Sequence, residues 1–271
     1  MNILVTGYKG LLGSHLMEAL PNACPFTGDV ADWNNCLNEF EDDFDFVIHC
    51  AAYTNVDKAE TEVDKAFRSN AQGTENIANA CAINQIPMLY VSTEAVFDGT
   101  KEGPYTTWDR PNPISVYGKS KYAGELAIQS LLKKHIILRT NLIYGEGRNN
   151  FITNTIKACR ESSGAEALEF QAIDQKCSPT NVNNLVDIIR KLIDHERWGV
   201  YHYTDQFAST RKEIIEYIAS KHDKIVNVSD YTKAIAPRGK NSILDYHHLA
   251  DTLRVYPFDW QLSLDRFMRH A

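Results

Sequence analysis

Short apolar runs alternate with stretches of helical periodicity through the first half of the chain. Apolar runs predict strands at residues 3–5, 24–27, 46–48, 88–91 and 135–138, the second being the weakest. Apolar positions three or four apart predict helices over residues 11–20, 63–84 and 117–132. Strands that alternate with helices at this spacing predict an α/β fold, a parallel sheet with helices on both faces.

The second half of the chain is less regular. Helical patterns cover residues 149–160, 184–195 and 211–221, and residues 200–203 predict one more strand. Residues 234–242 predict a loop that contains Pro237 and Gly239. No flexible linker separates the two halves. We therefore expect a smaller C-terminal lobe built from several segments, with some later segments returning to the sheet.

Composition narrows the possible partners of the chain. A net charge of −7 and a pI near 5.7 argue against nucleic acids and anionic membranes as ligands. No apolar run approaches the roughly 20 residues that cross a bilayer. The six cysteines form no CxxC pair, and no signal peptide opens the chain. We expect a cytoplasmic protein whose thiols are free and buried.

Three glycines follow the first predicted strand and open the first predicted helix. Gly7, Gly10 and Gly13 have the spacing GxxGxxG. In this context the first glycine permits a tight turn, the second lets the backbone approach a pyrophosphate, and the third lets helix and strand pack closely. The pyrophosphate then meets the unpaired N–H groups of the helix N-terminus. The pattern predicts a Rossmann-type, doubly wound sheet that binds a dinucleotide.

The segment after the second predicted strand should contact the adenosine end of that dinucleotide. The acidic residue that usually ends this strand and holds the NAD ribose is missing from residues 22–27. Asp29 fits a contact with the adenine amino group, whereas Asp32 fits either that contact or an N-cap of the following helix. Lys9 fits a contact with the 2′-phosphate of NADP or an ordinary surface position. Both NADH and NADPH remain candidates, with a slight preference for NADP.

A tyrosine and a lysine lie four residues apart at the start of the third predicted helix. Tyr117 and Lys121 therefore share one helical face and can point into one cleft. A nearby ammonium lowers the pKa of a phenol, which makes tyrosine a usable general acid or base. Thr93 ends the fourth strand, at the sheet edge where ligands bind in open α/β folds. We predict that Thr93, Tyr117 and Lys121 are catalytic.

Longer segments resemble the extended short-chain dehydrogenase/reductase superfamily, and within it the family of dTDP-4-dehydrorhamnose reductases. The resemblance covers nearly the whole chain. It rests on residues 51–60 (AAYTNVDKAE), 70–74 (NAQGT), 92–99 (STEAVFDG), 111–125, Arg139 with Thr140, and 174–180. Arg238 with Asn241 and Ser242 extends it to the end of the chain.

The resemblance implies an oxidoreductase of carbohydrate biosynthesis. Hydride would pass from NADPH or NADH to the C4 ketone of a nucleotide-linked 4-keto-6-deoxy sugar, converting dTDP-4-dehydrorhamnose to dTDP-L-rhamnose. Tyr117 would protonate the developing alkoxide, Lys121 would hold the nicotinamide ribose, and Thr93 would polarise the ketone. Residues 1–145 would mainly bind the cofactor and residues 146–271 would mainly form the substrate-binding lobe.

The same resemblance implies the remaining site residues. The cofactor would contact Gly7, Lys9, Gly10, Leu11, Leu12, Gly13, Asp29, Val30, Ala51, Ala52, Tyr53, Tyr117 and Lys121. The nucleotide-sugar substrate would contact Thr93, Glu94, Leu142 and Arg238. The family also suggests a homodimer.

Four residues depart from the family pattern. Glu94 replaces an aspartate, Ala95 replaces a tyrosine, and Leu142 stands where an aromatic residue is common. All three lie where the sugar should bind, so its identity stays open. His15 stands where some members carry a glutamate that helps bind magnesium, and we therefore expect no metal.

Two other functions fit the same resemblance. A sugar-nucleotide epimerase of the superfamily would keep its oxidised cofactor and return the hydride. A regulatory subunit like that of methionine adenosyltransferase would bind without turnover, although Thr93, Tyr117 and Lys121 are all present here.

Overall fold

The strands of the chain are short and confirm the predicted positions in the first half. The computed structural model describes residues 1–40, 43–163 and 166–270. Its strands are β1 (Ile3–Thr6), β2 (Ala23–Pro25), β3 (Phe46–His49), β4 (Met88–Thr93), β5 (His135–Thr140), β6 (Ile143–Tyr144), β7 (Leu168–Ala172), β8 (Lys176–Cys177), β9 (Thr180–Asn181), β10 (Gly199–His202), β11 (Ser209–Thr210) and β12 (Val226–Asp230).

Helices connect most of these strands. They are α1 (Leu11–Ala19), α2 (Trp33–Glu39), α3 (Val56–Ala59), α4 (Val63–Phe67), α5 (Gly73–Asn84), α6 (Val116–Leu131), α7 (Phe151–Glu161), α8 (Val182–Asp194), α9 (Arg211–Lys221), α10 (His247–Leu253) and α11 (Trp260–His270). A π-helix, Arg68–Gln72, joins α4 to α5. The single helix predicted over residues 63–84 is therefore interrupted by one wider turn.

Six parallel strands form the central sheet, in the order β10-β5-β4-β3-β1-β2. The chain runs outward from β1 to β2 and then returns to β3 on the other side of β1. This reversal creates a crevice at the carboxyl ends of β1 and β3, where ligands bind in doubly wound sheets. The predicted fold class is confirmed.

Both faces of the sheet are covered, which explains its continuous apolar runs. Ile3 and Val5 pack with residues of α1, α8 and α10 on one face, whereas Leu4 packs with residues of α2, α5 and α6 on the other. Residues after position 145 thus contribute to the main sheet and its cover, through β10, α8 and α10.

A separate apolar cluster underlies the rest of the second half. It joins α7, α9 and α11 around Tyr144, Ile214 and Trp260. Beside it, β7 pairs with β12 in a small parallel sheet that sequence reasoning missed. Its residues are only partly buried and include several polar side chains, so the apolar run that marks a buried strand is absent.

A buried ion pair ties helix α6 to the sheet. Arg139 on β5 donates from Nε and Nη2 to the two carboxylate oxygens of Glu125 on α6, at 2.9 and 2.6 Å. Both side chains are almost fully buried. Ser92 on β4 donates to Glu125 at 2.5 Å, and His202 on β10 lies 3.4 Å from the Arg139 guanidinium. The carboxylate therefore connects the helix to two neighbouring strands, β4 and β5, and its partner Arg139 extends the network to β10.

Removing the arginine alone should destabilise the protein strongly. We expect Arg139→Met to lower the free energy of unfolding by about 3–5 kcal/mol, because Glu125 stays buried without its cation. The double variant Arg139→Met/Glu125→Leu should recover much of that loss. Denaturant unfolding measures both. The exposed pair of Arg190 with Asp187 provides the control, since Arg190→Met should change stability by less than about 0.5 kcal/mol. Equal losses in the single and double variants would contradict the assigned role of the pair.

Candidate active site

The glycine loop forms a cradle of bare backbone between β1 and α1. Gly7 has a φ of +68°, and a Cβ there would lie 2.6 Å from the backbone nitrogen of Ala51. A Cβ on Gly13 would lie 2.2 Å from the carbonyl oxygen of Gly7, so this glycine brings helix and loop into contact. Gly10 is the N-cap of α1, and its Cβ position is comparatively open. The open N-terminus of α1 suits a pyrophosphate, which is the role predicted for Gly10, Leu11 and Leu12.

The two aspartates predicted at the adenosine end of the site have different partners. Asp32 caps α2 by accepting from the backbone of Asn34, which is the structural alternative considered for it. Asp29 is exposed, accepts from the backbone of Ala31, and pairs with Arg68 at 2.7 Å. The basic group beside Asp29 was missed because it lies in another helical segment, 39 residues away.

Lys9 and Val30, two further residues predicted to contact the cofactor, differ in exposure. The Lys9 side chain is exposed and lies over the ring of Tyr8. Its carbonyl oxygen accepts from Arg148 at 2.6 Å, which attaches the glycine loop to the loop before α7. Val30 is buried, and its carbonyl accepts from Asn76.

The side chains of Thr6 and Asn70 fix the backbone of residues 51–53, directly after β3, through hydrogen bonds. The Thr6 hydroxyl accepts from the backbone nitrogens of Cys50 and Ala51, at 3.2 and 3.1 Å. The amide of Asn70 binds both backbone groups of Tyr53. Ala51, Ala52 and Tyr53 are thus held partly exposed next to the glycine loop, where a cofactor contact is predicted.

Helix α6 is positioned by side chains from distant segments. Ser115 caps it through Gly118, and Glu60 accepts from the backbone nitrogen of Val116 at 2.8 Å. Asn70, in the π-helix, also donates to Ser120 at 2.9 Å. The same amide therefore holds the loop at Tyr53 and the first turns of α6.

Lys121 is buried against strand β4. Its ammonium donates to the Val91 carbonyl oxygen at 2.8 Å and lies 4.0 Å from the ring centroid of Tyr90. Burial lowers the pKa of Lys121 to about 7, while the charge of Glu125 acts in the opposite direction.

Tyr117 differs from the prediction in its electrostatics. Burial raises the pKa of Tyr117, the carboxylate of Glu94 raises it further, and the Thr93 hydroxyl opposes both. A lowered pKa, expected from the proximity of Lys121, is therefore wrong for the protein without ligands. The physical reason is that Lys121 is directed toward Val91 and Tyr90, whereas a carboxylate lies beside the phenol.

Thr93 and Glu94 form one unit at the end of β4. The Thr93 hydroxyl donates to a carboxylate oxygen of Glu94 at 2.7 Å and accepts from the backbone nitrogen of Ala95 at 3.1 Å. Burial raises the pKa of Glu94, although the hydrogen bond from Thr93 lowers it in part. Thr93 is itself almost fully buried, so a substrate carbonyl would have to displace its bond to Glu94.

A cleft of about 580 Å³, including its open mouth, lies over this unit. It collects residues from both halves of the chain: Val56, Glu94, Ala95, Phe97, Gly99, Ile114, Ser115, Tyr117, Gln175, Arg211, Pro237, Arg238, Gly239, Asn241 and Ser242. Of the predicted site residues, Glu94, Tyr117 and Arg238 line it. Thr93, Lys121 and Leu142 are not among the residues that line it.

The predicted loop at residues 234–242 forms the outer wall of the cleft. Arg238 is fixed there by its ion pair with Asp57 at 2.9 Å. This pair and two backbone hydrogen bonds hold the pKa of Asp57 below its usual value. Leu142 has a φ of +42° and packs against the apolar cluster around Tyr144 rather than in the cleft.

Arg211 lines the cleft but was not predicted. It is the first residue of α9, a helix predicted at its observed bounds, and the sequence analysis gave it no role in the site. No signal within the sequence places that helix end beside Tyr117, because the contact depends on how the second half folds over the sheet.

The described ranges contain neither a cluster of metal ligands nor a membrane-spanning helix. Outside residues 41–42, 164–165 and 271, no group of three or more His, Cys, Asp or Glu side chains could hold a metal ion, and no helix is long and apolar enough to cross a membrane. His15 lies with its Nδ1 2.8 Å from the carbonyl oxygen of Leu11, within its own helix.

Known proteins resemble the chain over its full length. The sequence profile of the family described as RmlD substrate binding domain matches residues 1–271. A relative named dTDP-4-dehydrorhamnose reductase, from Aggregatibacter actinomycetemcomitans, is 30% identical over 99% of each chain. The crystal structure of a dTDP-4-dehydrorhamnose reductase from Bacillus anthracis in complex with NADP has 33% identity, a TM-score of 0.93 and full coverage of both chains. The crystal structure of a dTDP-4-dehydrorhamnose reductase from Clostridium acetobutylicum has 30% identity, a TM-score of 0.92 and 99% coverage of both chains.

Two glycines of the loop should respond differently to an added methyl group. Gly13→Ala should lower stability by about 1–3 kcal/mol, because its Cβ collides with the Gly7 carbonyl. Gly10→Ala should fold normally and weaken NADPH binding about tenfold, because the methyl group faces the pyrophosphate position. Thermal unfolding and a fluorescence titration measure the two effects. Gly103→Ala, at an open position with ordinary backbone, is the control. Unchanged NADPH binding in Gly10→Ala would refute the placement of the pyrophosphate.

Proposed function

Because the chain belongs to the RmlD substrate-binding-domain family, we propose that it is an NAD(P)H-dependent oxidoreductase that reduces the C4 ketone of a nucleotide-linked 4-keto-6-deoxy sugar. The substrate we propose is dTDP-4-dehydrorhamnose and the product dTDP-L-rhamnose. The relative from Aggregatibacter actinomycetemcomitans and the structure from Bacillus anthracis carry that activity in their names.

The observation that carries this proposal is the position of Tyr117. It lines a cleft at the carboxyl edge of the sheet, on the helix that also supplies Lys121. The cleft lies over the end of β4, and β3 separates that strand from β1, which leads into the glycine cradle. A proton donor at this edge meets a carbonyl that is held in front of a dinucleotide.

The glycine loop fits the cofactor, since Gly7 and Gly13 let the loop pack closely on Ala51 and on its own helix, and Gly10 leaves the N-terminus of α1 without a side-chain cap. When bound, reduced nicotinamide supplies a hydride to the ketone carbon. Tyr117 then donates its phenolic proton to the developing alkoxide oxygen. Lys121 would hold the nicotinamide ribose, and Thr93 donates to the substrate oxygen once it leaves Glu94. Residues 51–53 close the side of the cofactor site.

The cofactor preference and the assembly form part of the same proposal. Arg68, which pairs with Asp29, and Lys9, which lies within the glycine loop, offer cations for a 2′-phosphate. The Bacillus anthracis structure is a complex with NADP. Asp29 and Val30 would line the adenine. Residues 1–145 would mainly bind the cofactor, residues 146–271 would mainly form the substrate lobe, and the protein would act as a cytoplasmic homodimer.

Replacing the tyrosine should separate binding from chemistry. We expect Tyr117→Phe to bind NADPH nearly as well as the wild type and to lose roughly a hundredfold or more of its turnover, because the proton donor is removed. The assay follows NADPH absorbance with dTDP-4-keto-6-deoxyglucose and a 3,5-epimerase. Tyr122→Phe, on the same helix, should keep full turnover. Wild-type turnover in Tyr117→Phe would refute the role of Tyr117, and no turnover in the wild type would refute the substrate.

A further inference from the structure

Arg211, the first residue of α9, borders the cleft described above, which we call the inner cleft. It lines the same cavity as Glu94 and Tyr117. Its Nε is shielded from solvent, yet it makes no hydrogen bond within the described residues. Buried polar groups are normally paired, so an unpaired guanidinium nitrogen in a ligand cleft points to a missing acceptor.

Among the described residues, no carboxylate lies at ion-pair distance from Arg211. Its guanidinium carbon lies 5.2 Å from the ring centroid of Phe151, which supports its flat face. Glu94 is near enough to interact electrostatically, but its carboxylate accepts from Thr93. The other buried or cleft-lining arginines differ, since Arg139 is paired with Glu125 and Arg238 with Asp57.

The charge distribution along the cleft indicates which part of a ligand reaches Arg211. An outer cavity shares Arg238 and Gly239 with the inner one and is lined by Lys101, Lys176 and Lys240 as well as by Asp98 and Glu102. Lys101 is paired with Asp109 at 2.6 Å, so Lys176 and Lys240 are the cations that suit the phosphates of a nucleotide sugar. A ligand whose phosphates lie there, and whose ketone meets Tyr117, directs its sugar ring toward Arg211.

We propose that Arg211 determines sugar specificity by donating hydrogen bonds to oxygen acceptors on the sugar ring. The inference rests on the proposed function. The planar fork of a guanidinium matches two adjacent oxygens, which can be neighbouring hydroxyls or a carboxylate. Ala95 leaves the cleft wall small next to Glu94, so a substituted sugar has room to reach the guanidinium.

Binding of three nucleotides to the full-length protein saturated with NADP tests this inference. The ligands are dTDP, dTDP-glucose and dTDP-glucuronic acid, and calorimetry gives their affinities. Arg211→Met keeps the length of the side chain and removes the donors. We expect it to weaken at least one sugar nucleotide by roughly ten- to a hundredfold, the loss that follows from removing a charged hydrogen bond. Binding of dTDP should stay unchanged.

A neighbouring lysine supplies the matched control. Lys212 is exposed and lies 3.9 Å from Glu216 on the outer face of α9, so Lys212→Met should leave all three affinities unchanged. A loss for both sugars in Arg211→Met identifies hydroxyl acceptors, whereas a loss for dTDP-glucuronic acid alone identifies a carboxylate. Arg211→Lys should recover only part of the affinity, because it lacks the planar fork.

Two outcomes would overturn the inference. An equal loss for dTDP and both sugars would assign Arg211 to the phosphates, and no loss for any ligand would show that it makes no ligand contact. These experiments involve no turnover. A wild-type protein that binds sugar nucleotides with Arg211 but does not oxidise NADPH would therefore refute the proposed reduction and leave the specificity role intact.

Discussion

The carboxylate of Glu125 is the group on which the geometry of the site depends. It is buried on the helix that carries Tyr117 and Lys121, where an unpaired charge would be costly. Arg139 neutralises it, and Ser92 donates to it. Strand β4 thus contacts the helix at two successive residues, through the Ser92 side chain at Glu125 and through the Val91 carbonyl at the ammonium of Lys121. Thr93 follows directly at the strand end. A shift of the ion pair would move strand end and helix apart, and the predicted catalytic groups with them.

A wider helical turn adds the second connection. Residues 68–72 wind as a π-helix, a form that is rare and often occurs at functional sites. Within it, Asn70 is fully buried and its amide satisfies Tyr53 and Ser120 together. The loop proposed to meet the cofactor and the helix proposed to carry the proton donor are therefore held by one side chain. Interruption of an otherwise regular helix is a cost that this arrangement offsets through three hydrogen bonds.

Local patterns predicted the fold well because they are set by burial. Apolar runs located the strands of the sheet, and the glycine spacing located the cradle, since both follow from backbone and packing constraints close in sequence. The position of Tyr117 in the cleft followed from helix periodicity. By contrast, the half-buried β12 carries no apolar run, and Arg211 reaches the cleft through contacts between segments about 100 residues apart in sequence. The pKa of Tyr117 was predicted in the wrong direction because a four-residue spacing says nothing about where the Lys121 ammonium points.

The raised pKa of Tyr117 suits the direction of the proposed reaction. Reduction of a ketone consumes a proton, so the useful state of the tyrosine before hydride transfer is the neutral phenol. An ordinary phenol is already protonated at neutral pH, and burial together with the Glu94 carboxylate raises its pKa further. Lys121, whose pKa is lowered to about 7, donates to the Val91 carbonyl and lies over the Tyr90 ring, so its ammonium does not lower the pKa of Tyr117. Burial and the Glu94 carboxylate therefore set the pKa of the phenol, and the lysine four residues further along the helix does not.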